Sequence, residues 1–85
     1  SPDLVLAEAR LPRVDGLELC RRIRQKGHST PILLLHPHSD AEFRQKVLEA
    51  GGDGLLSRAV GATGWVRALV RALAERPVRE EARKD

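Results

Sequence analysis

Residues 2–16 read Pro2-Asp3-Leu4-Val5-Leu6-Ala7-Glu8-Ala9-Arg10-Leu11-Pro12-Arg13-Val14-Asp15-Gly16, and the rest of the chain takes its meaning from them. The apolar run Leu4 to Ala7 ends in one carboxylate, Glu8. A short loop with Pro12 then leads to Asp15-Gly16, where an amphipathic segment opens. A continuous apolar run followed by a helical pattern reads as a parallel strand, buried on both faces, feeding a crossover helix. In open α/β sheets, ligands and chemistry sit outside the carboxyl ends of the strands. Glu8 stands at that end, so any activity is to be sought first around it.

The first strand is expected at residues 3–7. The first helix is expected from Asp15 or Gly16 to Lys26, with Asp15 as N-cap and Glu18 as its capping-box partner. Leu19, Cys20 and Ile23 form its inner face, and Gly27 stops it. Pro31 to Leu35 is a second buried strand, with proline at the tolerated first position, and His36-Pro37-His38 is the loop at its carboxyl end. Ser39-Asp40-Ala41-Glu42 reads as a capping box that opens a second helix at Asp40. That helix has Phe43, Val47 and Leu48 as its apolar face and ends at Gly51-Gly52. Residues 53–57 form a short third strand with Arg58 at its carboxyl end. Thr63 is expected to cap a last helix from Gly64 to about Arg76, with Trp65, Val66, Leu69, Val70 and Leu73 as its buried stripe. The order βαβαβα with short right-handed connections predicts a three-layer α/β domain around a parallel sheet, at residues 1–76. Seven of the ten residues 76–85 are charged, so 77–85 read as a tail or the start of a linker.

A chain of 85 residues is one small domain with a modest core. Its 41% hydrophobic and 32% charged content fits a folded chain rather than a disordered one. One Phe and one Trp leave the core to Leu, Val, Ile and Ala. The net charge of +3 is a small excess, and Arg21, Arg22 and Arg24 read as a solvated helix face. Interleaved aromatics and a groove-reading motif, the marks of a nucleic-acid binder, are not in the sequence. A single cysteine rules out an internal disulfide framework and fits a reducing, cytoplasmic compartment. No apolar stretch approaches the ~20 residues a membrane helix needs, and no secretory signal is visible. With no methionine at all, the chain is expected to be processed or a fragment of a longer one.

The apolar strand followed by Leu11-Pro12 and Asp15-Gly16 resembles the middle of a response-regulator receiver domain. Leu48-Glu49-Ala50-Gly51-Gly52-Asp53 resembles the segment before that family's last strand, and Pro31 to Leu35 resembles its fourth strand. The resemblance implies a partial flavodoxin-like fold: the last three of the family's five strand–helix units. The two units without a counterpart here would carry the acidic pair that holds magnesium with the phosphoacceptor Asp. The same resemblance sets Glu8 at the acceptor position, His36 at the switch Ser/Thr, Leu55 at the switch aromatic, and Arg58-Ala59 at the Lys-Pro pair. Scaffold positions keep their residue type while the positions of chemistry change. This implies a pseudo-receiver with no catalytic residue, metal or cofactor.

By that resemblance the chain is expected to be a bacterial signalling module with a kinase or effector domain as partner. Its interaction surface would span residues 40–51, 54–56 and 64–76, including Phe43, Val47, Trp65 and Leu69. The first strand would lack its family neighbour, so a homo-oligomer through Leu4 to Leu6 is expected. The alternatives are a fragment of a phosphorylatable receiver and a basic nucleic-acid accessory module.

Each candidate has a plainer reading beside it. Glu8 could imitate a phosphorylated Asp, although it carries one charge where a phosphoryl group carries about −2, or it is simply a loop carboxylate. Arg58 shares the sheet edge with Glu8 and suits carboxylate pairing; otherwise it is a solvated arginine. His36 and His38 with Asp40 nearby fall short of the three or four rigid ligands of a metal site. Cys20 reads as a small core residue, and Trp65 as a core or interface anchor.

Overall fold

A computed structural model describes residues 4–10, 15–37, 40–59 and 61–76. The expectations placed on Asp3, Leu11-Pro12, His38, Ser39 and residues 77–85 lie outside the described residues. Strands β1 (Val5–Glu8), β2 (Ile32–His36) and β3 (Gly54–Ser57) alternate with helices α1 (Gly16–Gln25), α2 (Ala41–Glu49) and α3 (Ala62–Glu75). The sheet is parallel throughout, in the order β1-β2-β3.

β2 is the central strand, and Ile32, Leu33 and Leu34 have no exposed surface. Ile32 and Leu34 join Ala9, Cys20, Val47 and Ala50 in the core under α1 and α2. Leu33 faces the other way and joins Leu56 and Ala72 under α3. This alternation is why the run is apolar without a break.

Two strands end later than their apolar runs. Glu8 pairs with Leu35, and His36 pairs with Ser57. His36 therefore closes β2 instead of opening the loop, because the backbone ladder continues for as long as the neighbouring strand offers partners.

The helix ends follow local chemistry. Asp15 caps α1 by accepting from the Leu17 N–H at 2.9 Å. Glu18, its expected capping-box partner, turns outward to Arg21 and Arg22 instead. Asp40 caps α2 by accepting from the Phe43 N–H at 3.1 Å. Both helices end in a Schellman motif. In α1 the N–H groups of Gly27 and His28 donate back to the carbonyls of Arg24 and Ile23; in α2 those of Gly51 and Gly52 donate to Leu48 and Val47. The left-handed residue is Gly27 (φ +83°) in the first and Gly51 (φ +101°) in the second.

α3 departs from expectation twice. It starts at Ala62 behind Gly61, and Thr63 lies inside the first turn instead of capping it. The indole N–H of Trp65 donates to the Ser57 carbonyl at 3.1 Å and ties this turn to the end of β3. The packed face is Trp65, Ala68, Leu69 and Ala72. Val66 and Val70 are 61% and 60% exposed, and Leu73 is 39% exposed. The apolar stripe is wider than the sheet can cover, and the side with small residues is the one that docks. A Cβ at Gly54 would stand only 3.0 Å from the Ala72 Cβ.

An ion cluster stitches the amino end of the sheet. The buried Asp53 carboxylate accepts from the Ile32 N–H at 2.8 Å, Arg24 Nη2 at 3.0 Å and Arg76 Nε at 3.2 Å. Arg24 also donates to the carbonyls of Gly51, His28 and Thr30. Cys20 is fully buried in the adjacent core, and burial pushes its thiol pKa up.

Candidate functional site

At the carboxyl end of the sheet, the Glu8 carboxylate forms an ion pair with Arg58 Nη2. Their strands are not neighbours, since β2 lies between β1 and β3. Arg58 therefore reaches over the end of β2. Backbone bonds set up this reach: the Ala9 N–H donates to Leu35 O at 2.8 Å, and the Arg58 N–H donates to His36 O at 2.9 Å. The residues just past both outer strands are thus pinned to the last two residues of the central one. The pair is open to water, with side chains 39% exposed at Glu8 and 52% at Arg58.

Gly16 holds the near side of this end. Its N–H donates to Ala9 O at 3.0 Å, and a Cβ there would stand 2.9 Å from the carbonyl oxygens of both Glu8 and Ala9. The Asp15-Gly16 pair is accordingly a packing requirement: the aspartate caps α1 and the glycine lets the helix start touch the strand end. Glu8, Ala9, Arg10, Leu35, His36 and Pro37 line a shallow depression of ≈340 Å³. The His36 ring lies 5.1 Å from the Phe43 ring, tilted by 34°. Among the described residues, no three His, Cys, Asp or Glu side chains are grouped to hold a metal ion.

The structure thus brings Glu8, His36 and Arg58 to one end of the sheet and leaves Leu55 apart. Leu55 lies along the outer side of β3, where it lines a groove with Arg44, Arg67 and Arg71. Phe43 is half-buried against the α1–α2 core, and Trp65 and Leu69 are half-buried against the α3 core. Val47 does not belong to an exposed surface. It has no accessible area and is wedged so closely that a Cβ on Gly52 would come within 2.5 Å of its Cγ1. The Asp53 cluster and the three arginines beside Leu55 are not among the residues expected from sequence. The spacing of Arg67 and Arg71, one turn apart on α3, is the signal that points to the second. Among the described residues no helix is long and apolar enough to cross a membrane.

Residues 1–70 match the response regulator receiver domain. The chain belongs to the receiver-domain family. It is 37% identical over 81 residues to the response regulator MprA of Mycobacterium bovis, which covers 95% of this chain and 35% of that protein. It is 36% identical over 85 residues to the alkaline phosphatase synthesis transcriptional regulatory protein SphR of Synechococcus elongatus, covering 96% of this chain and 33% of that one. The receiver chain therefore spans about a third of the length of these relatives. Among solved structures, it resembles a LuxR-family two-component response regulator from Aurantimonas, with a TM-score of 0.75 and 33% identity over 88% of this chain and 54% of that chain. It also resembles the signal receiver domain of the response regulator NarL from Mycobacterium tuberculosis, with a TM-score of 0.73 and 27% identity over 88% of this chain and 60% of that one. The flavodoxin-like receiver fold expected from Leu-Pro and Asp-Gly is the fold found.

Proposed function

We propose that this receiver chain is a two-component signalling module that works by binding another protein and accepts no phosphoryl group itself. The observation that carries the reading is the Glu8–Arg58 ion pair. The family pattern has a phosphoacceptor Asp where this chain has Glu8. Here the Glu8 carboxylate already engages the neighbouring cation. Glu8 is also the one carboxylate lining the depression beside it among the described residues, whereas divalent-ion-assisted phosphoryl transfer needs several oxygen ligands around the metal. Intact-mass spectrometry after incubation with acetyl phosphate and Mg²⁺ tests this, and a stable phosphoryl adduct would favour the rival reading of a phosphorylatable receiver piece.

The partner in this reading is a signalling kinase or an effector domain, in a bacterial cytoplasm. The similarity to SphR, a transcriptional regulatory protein, supports an effector as the recipient.

A second copy of the chain is proposed as a further partner, along β1. Among the described residues that strand has a neighbour on one side only, and Leu6 on it is 47% exposed. Leu4 and Leu6 border an apolar groove of ≈140 Å³ with Trp65, Val66 and Leu69. The apolar part of that edge, Leu4 to Ala7, beside an open apolar groove favours association.

A further inference from the structure

We propose that Arg76 is a latch: it holds the last turn of α3 against the amino end of the sheet and can release that turn without disturbing the rest of the domain. The sequence places the residue where α3 must stop. Proline disfavours the helical conformation in the residue before it, and Arg76 precedes Pro77. Arg76 is accordingly extended (φ −66°, ψ 144°) behind the last helical residue, Glu75. Its side chain turns back toward the sheet. Nε donates to Asp53 Oδ1 at 3.2 Å, and Nη2 donates to the Ser29 carbonyl. One guanidinium thus reaches both the residue ahead of β3 and the loop ahead of β2. This is the opposite end of the sheet from Glu8 and Arg58, so the inference goes beyond the signalling reading and stands apart from it.

Apolar packing weakens before the turn that Arg76 holds. The residues of α3 packed against the sheet are Trp65, Ala68, Leu69 and Ala72. After Ala72, Leu73, Ala74 and Glu75 are all exposed. Glu75 pairs with Arg71 one turn back, a contact internal to the helix. A helix end leaves its last carbonyl groups without intrahelical partners and frays unless something ties it down. Arg76 supplies the tie. The carboxylate that receives it is arranged so that the tie can open. Asp53 Oδ2 accepts from the Ile32 N–H and from Arg24 Nη2, whereas Arg76 is on Oδ1. Arg24 is itself fixed by the carbonyls of Gly51, His28 and Thr30. When Arg76 lets go, Asp53 keeps a cation and a backbone donor, so no uncompensated buried charge is left behind. The Arg76 side chain is already 22% exposed and has a short path to water. Arg24 is the brace of this cluster and Arg76 its movable member. The chain continues to residue 77 from this point, so the latch decides whether that continuation starts from a fixed or a movable place.

The test is amide hydrogen exchange of the full chain, resolved by residue. In Arg76→Ala the amides of Leu73, Ala74 and Glu75 should exchange at least about tenfold faster than in the parent, the loss expected for a charge-assisted contact. Those of Ile32, Leu33 and Leu34 in β2 and of Leu55 and Leu56 in β3 should change less than about twofold. Arg76→Lys keeps the charge but lacks the fork that spans Asp53 and Ser29, and should fall between the two. Arg71→Gln removes the exposed pair with Glu75 on the same helix and should alter the last turn less than about twofold. Unchanged exchange at Leu73, Ala74 and Glu75 in Arg76→Ala overturns the proposal. A uniform rise across sheet and helix, or loss of the folded circular-dichroism spectrum, also overturns it, since Arg76 would then brace the whole domain as Asp53 does. An equal rise in Arg71→Gln overturns it too, because any ion pair on that turn would then have the same effect.

Discussion

Asp53 and Arg24 meet at 3.0 Å at the amino end of the sheet, and the Asp53 side chain has no exposed surface at all. With Arg76 on its other oxygen, this carboxylate ties α1, the start of β2, the start of β3 and the end of α3 into one cluster. Breaking a buried pair leaves uncompensated charge, at a cost of about 3–5 kcal/mol. A domain holds only about 5–15 kcal/mol in total. Asp53→Ala should therefore lose a large share of the domain's stability, about 3–5 kcal/mol in urea denaturation. Asp53→Asn, which keeps an acceptor for the Ile32 N–H, should fall between it and the parent in urea denaturation. A loss below about 1 kcal/mol in Asp53→Ala would show that the cluster does not hold the sheet together.

The Glu8–Arg58 pair makes the opposite energetic prediction. Both side chains are more than a third exposed, so solvent screens the attraction, and the pair is worth at most about 1 kcal/mol. A double-mutant cycle with Glu8→Gln and Arg58→Gln should show a small positive coupling that fades as salt is raised. Strict additivity would mean that the two do not interact in solution.

The sheet and its crossovers were readable because β2 is buried on both sides and so must be written as an unbroken apolar run. The meeting of Glu8 and Arg58 was readable because parallel strands end on the same edge; that Arg58 spans the central strand was not, because strand order is set by tertiary pairing. α3 misled for a related reason. Its apolar residues cover more than half a turn, and only docking decides that Ala68 and Ala72 face inward while Val66 and Val70 stay outside. Asp53 escaped notice because its partners Arg24 and Arg76 lie 29 and 23 residues away, and no local spacing records such a pairing. Val47 sat correctly on the apolar face of α2, yet that face is the core itself and offers a partner nothing.

Cys20 supplies a pH test. Burial raises its thiol pKa, so on raising the pH the unfolded thiol ionises first while the folded one keeps its proton. The unfolded state then binds fewer protons, and stability falls as pH rises past the unfolded thiol's range near about 8.5. Cys20→Ala, although it weakens the core, should flatten that part of the profile. The native thiol should also react with a thiol-exchange reagent only as fast as the domain opens. Rapid stoichiometric labelling of native protein would contradict its burial.

Association along β1 is tested by sedimentation at micromolar concentrations. The expected result is a dimer or larger assembly. Leu6→Lys should shift it to monomer, since Leu6 points outward and a lysine guards an exposed strand edge. Val5 packs toward the α1–α2 core, so Val5→Lys would report on folding instead. A concentration-independent monomer in the parent protein would refute the β1 interface.

A receiver fold with Glu8 paired to Arg58 at the end of β1 should take no phosphoryl group. The most direct measurement is the intact mass of the full chain after incubation with acetyl phosphate or phosphoramidate and Mg²⁺, alongside Glu8→Ala. Neither protein should gain phosphoryl mass. A stoichiometric adduct on the parent that is lost in Glu8→Ala would contradict it.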